Sequence, residues 1–212
     1  MNYTKKFPAQ FASYDEFEAK LIENNAECAY QYTKNGIESE LKFSTQMFGS
    51  DGTWYGDGRG GTLSELITEL YDANDATSVK IWFKADADVS PHNVAHTAAL
   101  VLGNVEFYGN GANFNGTEFS IDTTSGETTF NQKAQSFSAF DCRNIKFWGA
   151  NTKGFDIKIS VDNCENTSEM YFMSFPIGEI ASAKLDVTVK NSSFGTEGTI
   201  YQPSSLGGAI DV

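Results

Sequence analysis

The most conspicuous candidate ligand site in the sequence is the glycine-rich stretch YGDGRGG. Three glycines have the G-x-G-x-x-G spacing of dinucleotide-binding loops, namely Gly56, Gly58 and Gly61. A helical pattern follows over about 63–72, whose N-terminus would hold the pyrophosphate. However, turn-forming residues precede the glycines, Asp51 and Asp57 would repel phosphate, and no further βα units follow. We therefore interpret the stretch as a flexible connecting loop before a helix.

Two further groups in the sequence could bind metal ions. Asp51 and Asp57 lie in an oxygen-rich Asp/Gly loop of the kind that holds Ca²⁺, although their spacing is not that of an EF-hand. They predict a weak calcium site at most, and no other cofactor. His92 and His96 would share a helix face, but a zinc site needs a third ligand and none is marked nearby. We interpret both histidines as polar surface residues.

The three cysteines, Cys28, Cys142 and Cys164, form no C-x-x-C pair and have no zinc spacing. Cys142 and Cys164 both lie in apolar strand patterns, which predicts small buried side chains. A single disulfide is compatible with the sequence but is not implied by it.

The aromatic residues give the clearest binding signal. In KIWFKA and IKFWGA, neighbouring aromatic side chains must point to opposite faces of a strand, so one of each pair faces outward. Outward aromatic rings could hold sugar rings or a protein partner. The candidate ligand-binding residues are Trp82, Tyr108, Trp148 and Tyr171. For Trp82, burial beneath the N-terminal residues is an equally good explanation.

The charge of the chain excludes several classes of partner. The 212 residues carry a formal net charge of −13 and include only two arginines. Nucleic acid and anionic membrane surfaces would be repelled. No apolar run approaches the 18 residues of a transmembrane helix, so we expect no membrane insertion. The N-terminus lacks the apolar segment of a signal peptide, which leaves two alternatives: an intracellular protein, or one whose signal peptide was removed.

Local signals predict a helix and a hairpin near the N-terminus. Ser13 and Glu16 have capping-box spacing before a helix expected over about 14–24. Two alternating runs then flank Asn35-Gly36, the strongest short signal for a β-hairpin. After the glycine-rich loop the chain continues with the strand pattern SVKIWFKADADV.

The rest of the chain shows a repeated strand pattern. Four segments can be aligned on a final asparagine, with apolar residues two and four positions earlier: Asn104, Asn144, Asn163 and Asn191. Three copies add a phenylalanine three positions later: Phe107, Phe147 and Phe194. Intervals near 20 or 40 residues suit one or two turns of a parallel β-solenoid, whose stacked turns bury a continuous core. Asparagine suits its corners because it tolerates left-handed backbone. An antiparallel sandwich with unrelated asparagine turns is the alternative.

The C-terminal part of the sequence resembles a known family. Asn191-Ser192-Ser193-Phe194 and Gly207-Gly208-Ala209-Ile210 resemble the N-S-x-F and G-G-A-I repeats of right-handed parallel β-helix proteins of bacterial surfaces. These are the adhesin-like and polymorphic outer-membrane proteins, which share the pectate-lyase-like superfold. The resemblance covers about residues 62–212. It implies an all-β fold with a parallel β-helix over 62–212. We interpret residues 1–61, with their helix, hairpin and glycine-rich loop, as an N-terminal cap, because an open solenoid end would expose strand edges. Because the sequence ends within a new repeat, we expect the β-helix to be truncated at its C-terminal end or to be closed there by a partner.

The resemblance also implies a function. We expect a secreted, non-catalytic module at the cell surface or outside the cell, which binds a glycan or a host or cell-surface protein along one face. The first alternative is a polysaccharide lyase or glycoside hydrolase. Against the lyase, no Asp cluster recurs beside Arg143, and Asp141 should point to the opposite face. The hydrolase motifs N-T-D, D-D, G-H-G and R-I-K are absent. Asp156, Asp162 and Glu165 could supply a carboxylate pair, but outward acidic residues usually face water.

A second alternative is a structural module like those of phage tails, which would act as a trimer. Besides a glycan or protein ligand, we expect the chain to contact other copies of itself or a continuation of the solenoid.

Overall fold

The computed structural model describes residues 1–44, 77–88, 103–114, 118–122, 134–150, 156–166, 171–175, 184–194 and 199–203. Within these ranges the chain is mostly β, as predicted, with a single α-helix. The elements are α1 (Tyr14–Glu23), β1 (Cys28–Lys34), β2 (Ile37–Glu38), β3 (Lys42–Ser44), β4 (Ser78–Phe83), β5 (Asn104–Tyr108), β6 (Glu118–Asp122), β7 (Ala134–Phe140), β8 (Lys146–Ala150), β9 (Asp156–Asp162), β10 (Glu165–Asn166), β11 (Tyr171–Phe175), β12 (Lys184–Lys190), β13 (Ser193–Phe194) and β14 (Thr199–Pro203). The glycine-rich loop and the helix predicted over 63–72 lie outside these ranges.

The predicted N-terminal helix and hairpin are both confirmed. The Ser13 hydroxyl accepts a hydrogen bond from the Glu16 amide at 3.3 Å, which satisfies one of the free amides at the start of α1. The hairpin joins β1 and β2 through Asn35 and Gly36, whose φ angles are 52° and 74°. Two successive left-handed residues match the right-handed twist of the flanking strands, and Asn-Gly is the sequence that tolerates them most readily.

The largest sheet has eight strands and is mixed; we call it the large sheet. Its order is β12-β9-β7-β5-β4-β1-β2, and β3 also pairs with β1. β1 runs antiparallel to β4. From β4 to β12, each strand is parallel to the next. The N-terminal hairpin is thus attached to one end of a run of five parallel strands.

One face of the large sheet forms the centre of the apolar core, and we call it the core face. Its side chains alternate with those of the outer face, as the period of a strand requires. Residues in register across the parallel strands build two columns with no exposed surface: Val79, Val105, Phe137 and Ile159 in one, and Ile81, Phe107, Ala139 and Val161 in the other. The apolar residues of the alternating runs therefore stack strand upon strand.

Two further sheets complete the β structure of the described ranges. A four-stranded sheet has the order β14-β11-β8-β6, and a two-stranded sheet pairs β10 with β13; both are parallel. Parallel bridges also link Asp88, Asn113, Arg143 and Glu165 in succession. From β5 onward, strands of the large sheet alternate along the chain with strands of these smaller sheets.

Left-handed residues occur in the turn after each parallel strand of the large sheet. The bridges above fix which residues are equivalent, and the residue two positions earlier has a positive φ in every case. We call these residues the left-handed column: Asp86, Gly111, Asp141, Asn163 and Asn191, with φ of 56°, 89°, 55°, 52° and 51°. Aspartate, asparagine and glycine are the residues that adopt this conformation at least cost.

The left-handed column differs from the sequence alignment at two of its four asparagines. Asn163 and Asn191 occupy equivalent positions, as aligned. Asn144 has a positive φ but lies three residues beyond Asp141, and Asn104 begins β5 rather than following it. The three aligned phenylalanines are likewise not equivalent, because they lie in three different sheets: Phe107 in the large sheet, Phe147 in β8 and Phe194 in β13. The alternating sequence pattern predicts which side chains of a strand share a face. It does not predict the residue at which the strand ends and the chain turns.

Helix α1 packs on the outer face of the large sheet, next to β1 and β4. Tyr14, Phe17 and Leu21 of the helix form a buried cluster with Ala29 and Trp82 of these strands. This arrangement gives Trp82 an exposed fraction of only 6%. Trp82 is therefore buried beneath the N-terminal residues, as the second explanation expects.

We predict that Phe137→Ala lowers the free energy of unfolding by about 3–5 kcal/mol, because Phe137 is fully buried in the core face and its loss leaves a cavity. Urea denaturation followed by circular dichroism measures the change. The matched control is Ser138→Ala, one residue along β7 on the outer face, which should change the stability by less than about 0.5 kcal/mol. Equal losses in the two variants would contradict the assignment of the faces.

The left-handed column generates a second prediction. Asn163→Gly and Asn163→Ala both remove the amide side chain, which donates hydrogen bonds to Asp141 and to the carbonyl of Asn2. Only alanine then carries a Cβ at positive φ, so we expect Asn163→Ala to be about 1 kcal/mol less stable than Asn163→Gly in urea denaturation. An alanine variant as stable as the glycine variant would contradict a left-handed backbone at this position.

Candidate functional site

The outer face of the large sheet carries three stacked aromatic rings, which we call the aromatic row: Trp82, Tyr108 and Phe140. The centroids of Trp82 and Tyr108 are 5.3 Å apart with an angle of 8° between the rings, and those of Tyr108 and Phe140 are 5.2 Å apart at 12°. The three residues are register partners in β4, β5 and β7. Parallel strands lie about 4.7–4.9 Å apart, so residues in register present their rings at close to stacking distance.

The two ends of the aromatic row differ in their accessibility. Trp82 is covered by helix α1, whereas Tyr108 and Phe140 are half-buried. An external ligand would therefore contact Tyr108 and Phe140. Trp82 stacks against Tyr108 and packs against the helix.

The Tyr108 hydroxyl is fixed by a neighbouring carboxylate. It donates a hydrogen bond to Glu106 at 2.5 Å, and the Asn104 amide donates to the same carboxylate at 3.0 Å. Burial and this hydrogen bond raise the pKa of the Tyr108 phenol above its ordinary value. The phenol therefore remains protonated at physiological pH. Its hydroxyl and the Glu106 carboxylate form a fixed hydrogen-bonded pair at the edge of the ring.

The N-terminal segment lies over the open end of the aromatic row. We call residues 1–7 the N-terminal strap. The Lys6 ammonium is 4.1 Å from the Phe140 ring centroid and 5.7 Å from that of Tyr108, both within cation–π range. The Lys6 backbone is held by Asn110, whose side chain accepts from its N–H at 2.7 Å and donates to its carbonyl at 2.8 Å.

The rest of the strap crosses the turns beside the left-handed column. Thr4 donates to Asp141 at 2.7 Å, and the Tyr3 hydroxyl donates to Glu165 at 3.2 Å. Burial, followed by the Glu165 carboxylate, raises the pKa of Tyr3. Tyr3 also requires a glycine opposite it, because a Cβ on Gly111 would lie 3.1 Å from its ring and 2.7 Å from Asp86. The strap thus connects successive turns through side-chain hydrogen bonds.

A line of short hydroxyl side chains lies beside the aromatic row. Ser138, Ser160 and Thr188 are register partners in β7, β9 and β12, and all three are half-exposed on the outer face. We call them the hydroxyl row. Their regular spacing, with no bulky side chain among them, leaves a flat polar surface next to Phe140 that can exchange hydrogen bonds with a ligand.

Among the side chains that the structure describes, two of the four predicted ligand-binding aromatics lie in contact. Trp82 and Tyr108 are in contact in the aromatic row. Trp148 lies in β8 and Tyr171 in β11, both in the four-stranded sheet, where Trp148 pairs with Ser174. The side chains of Trp148 and Tyr171 lie outside the described part of the structure.

Sequence reasoning missed Phe140 and Lys6. Phe140 was aligned with the apolar Ile159, whereas its register partner in β9 is Asp162 on the outer face. The signal that identifies the correct register is the similarity of DCRN (141–144) to NCEN (163–166). Nothing in the sequence around Lys6 indicates that it binds an aromatic ring.

The candidate metal ligands remain predictions. Asp51, Asp57, His92 and His96 all lie outside the described residues. Within the ranges that the structure describes, no group of three or more His, Cys, Asp and Glu side chains could hold a metal ion.

Several side chains considered for catalysis are engaged in hydrogen bonds within the fold, and that of Asp156 lies outside the described part of the structure. Arg143 donates from Nε to the Gly111 carbonyl at 2.6 Å and lies 3.8 Å from Asp86. Asp141 is almost completely buried and accepts hydrogen bonds from Thr4 and Asn163. Asp162 accepts from Asn191 at 2.9 Å. These hydrogen bonds stabilise the turns.

Comparison with protein-family models, with curated proteins and with solved structures finds no match to the chain. In the described part of the chain, no helix has the length and apolar character needed to cross a bilayer.

We predict that the chain loses stability as the pH rises above 10. A phenol whose pKa is higher in the folded than in the unfolded state keeps its proton on folding, so its contribution is complete below pH 10 and is lost as the pH rises through the folded pKa. Tyr14 behaves in this way, since burial raises its pKa to about 12, and Tyr3 and Tyr108 are shifted in the same direction.

The variant Tyr108→Phe tests this prediction. At pH 7 it should lose about 1 kcal/mol through the missing hydrogen bond to Glu106. Between pH 10 and 12 its free energy of unfolding should fall less steeply than that of the parent chain, because one of the shifted phenols is gone. Urea titrations across this range measure the slope, and parallel slopes would contradict the raised pKa of Tyr108.

Proposed function

We propose that the chain folds as a right-handed parallel β-helix in which the N-terminal helix and hairpin cap one end. Three observations on the described residues support this fold. Strands β4 to β14 pair with one another only in parallel. From β5 onward, strands of the large sheet alternate along the chain with those of the smaller sheets, and a left-handed residue recurs at one register position in five turns. Right-handed crossover is the rule for parallel connections within a sheet.

We propose further that the protein is a non-catalytic, adhesin-like module, at the cell surface or outside the cell, that binds a glycan along the outer face of the large sheet. The observation that carries this proposal is the placement of the aromatic row directly beside the hydroxyl row. A sugar ring has apolar C–H faces, which stack on aromatic rings, and hydroxyls at its rim, which need hydrogen-bonding partners.

The geometry suggests how a glycan would lie. A chain of sugars running across the strands would place C–H faces on Tyr108 and Phe140 and hydroxyls near Ser138 and Ser160. Glu106, held by Asn104 and Tyr108, would accept a further hydrogen bond at the rim. The net charge of −13 favours neutral over acidic polysaccharides.

A protein partner is the second candidate, and one contact favours it. Lys6 already places its ammonium group 4.1 Å from the centroid of the Phe140 ring, and this contact supports a site for cationic side chains on this face. A partner segment carrying a lysine or arginine could make the same contact, with the acidic surface increasing its rate of association.

We predict that Phe140→Ala lowers affinity for a bound neutral glycan about 10-fold or more, because stacking and hydrogen bonding in one aromatic subsite contribute roughly 1–3 kcal/mol. A glycan array identifies the ligand, and titration calorimetry measures the affinity. Ser160→Trp should also weaken binding by covering the flat surface without entering the core. The matched control is Ile37→Ser, which changes an exposed apolar residue of the hairpin and should leave the affinity unchanged.

Several outcomes would oppose this proposal. Unchanged glycan affinity in both Phe140→Ala and Ser160→Trp would exclude the outer face as the site. Binding of basic peptides but of no glycan would select the protein-binding candidate. Release of reducing or unsaturated sugars from the bound polymer, abolished by Arg143→Ala, would favour the alternative of a polysaccharide lyase or hydrolase. A stable trimer in light scattering would favour the phage-tail-like module.

A further inference from the structure

The geometry points to Cys142 and Cys164 as a pair of thiols that a disulfide-type oxidant, such as oxidised glutathione, converts to a disulfide linking two successive turns. This inference concerns the turns next to the left-handed column and does not depend on the proposed binding function.

The two cysteines occupy equivalent positions in successive turns. Each directly follows a residue of the left-handed column, Asp141 or Asn163, and each precedes a residue of the bridge between Arg143 and Glu165. The Glu165 amide donates to the Cys142 carbonyl at 3.0 Å, which fixes the alignment of the two backbones.

Their separation suits a disulfide. Neighbouring parallel backbones lie about 4.7–4.9 Å apart, within the Cα–Cα range of about 4.4–6.8 Å that disulfides span. The Cys142 amide is 3.4 Å from the Cys164 sulfur, so the Cys164 side chain already lies against the Cys142 backbone. The Cys142 sulfur lies on the side of Gly109, so bond formation requires rotation of the Cys142 side chain about its Cα–Cβ bond toward Cys164.

The surroundings of the pair explain why it would react slowly. Both side chains are fully buried, and burial together with the neighbouring thiol raises the pKa of Cys142. Thiolates rather than thiols attack disulfides, so oxidation needs a transient opening of the turn. The strap covers this turn through the bonds of Thr4 to Asp141 and of Asn163 to Asn2.

The third cysteine is placed too far away to compete. Cys28 lies in β1, and two strands of the large sheet, β4 and β5, separate β1 from β7. At about 4.7–4.9 Å per strand, this separation is roughly twice the largest Cα–Cα distance that a disulfide bridges. Cys28 therefore serves as an internal reference thiol that should stay reduced.

The reaction is a conventional thiol–disulfide exchange. One cysteine thiolate attacks a sulfur of oxidised glutathione, the glutathione S–S bond breaks, and one glutathione leaves as a thiolate that takes up a proton. The second cysteine thiolate then attacks the mixed disulfide and releases the second glutathione. Two electrons pass from the cysteine pair to the oxidant, and the two protons end on two molecules of glutathione.

The test incubates the full chain with oxidised glutathione at a urea concentration below the unfolding transition. A parallel sample with N-ethylmaleimide determines how long both thiols take to become accessible. After that time, we expect alkylation under denaturing conditions to find one remaining thiol, and peptide mapping to find one cross-link joining the peptides of Cys142 and Cys164. Cys28→Ser should keep the cross-link. Cys142→Ser should lose it and instead hold glutathione on Cys164.

Two results would overturn the assignment. The first is the absence of the cross-link after both thiols have become accessible to N-ethylmaleimide. The second is a cross-link that includes Cys28. The melting temperature gives an independent readout: a disulfide that fits the native turns raises it in the parent chain and not in Cys142→Ser, and reduction reverses the change. A lower melting temperature on oxidation would show that the two residues are not aligned as described.

Discussion

The in-register parallel pairing of β4, β5, β7, β9 and β12 is the constraint on which the rest of the described structure depends. Once the strands are in register, every side chain lies against the side chain at the same position of the next strand. Apolar residues then form columns on the core face, aromatic residues form a row on the outer face, and the two cysteines meet at a turn. Each feature of functional interest is therefore a consequence of one alignment.

This alignment also governs how the chain tolerates its charge. On the outer face, Lys158 is the register partner of Asp186, and Asp162 is that of Lys190. Opposite charges placed across neighbouring strands attract modestly, whereas like charges at the same positions would repel. The net charge of −13 is thus compatible with close stacking, because charges alternate where strands pair and the excess of acidic residues lies elsewhere in the sequence.

The parts of the fold that depend on neighbouring residues could be predicted from the sequence. The capping box located α1, and Asn35-Gly36 located the hairpin, because both signals act within a few residues. The register of the turns could not be predicted from alternation alone. In a regular strand, residues two positions apart lie on the same face. The left-handed residue Asp141 interrupts this alternation, so Phe140 lies on the outer face and Cys142 lies in the core.

The same limit explains why the candidate site was only half predicted. Trp82 and Tyr108 could be identified as outward residues from their own strand, but Phe140 required knowledge of where β7 ends. Lys6 required knowledge of a contact between residues more than a hundred positions apart, and no local pattern encodes such a contact. Contacts of this kind depend on the surface that forms when the strands assemble into the sheet, and no single segment of the sequence predicts them.

The N-terminal residues pack against both ends of the aromatic row. Helix α1 covers Trp82 at one end, and Lys6 covers Phe140 at the other. The helix contact is buried and apolar, whereas the Lys6 contact is half-exposed and held by a few polar bonds of the strap, so the two should differ greatly in how readily they open. A ligand at this face would therefore compete with Lys6 and not with the helix. It would gain access to Phe140 and the hydroxyl row without disturbing the residues that hold the N-terminal elements on the sheet.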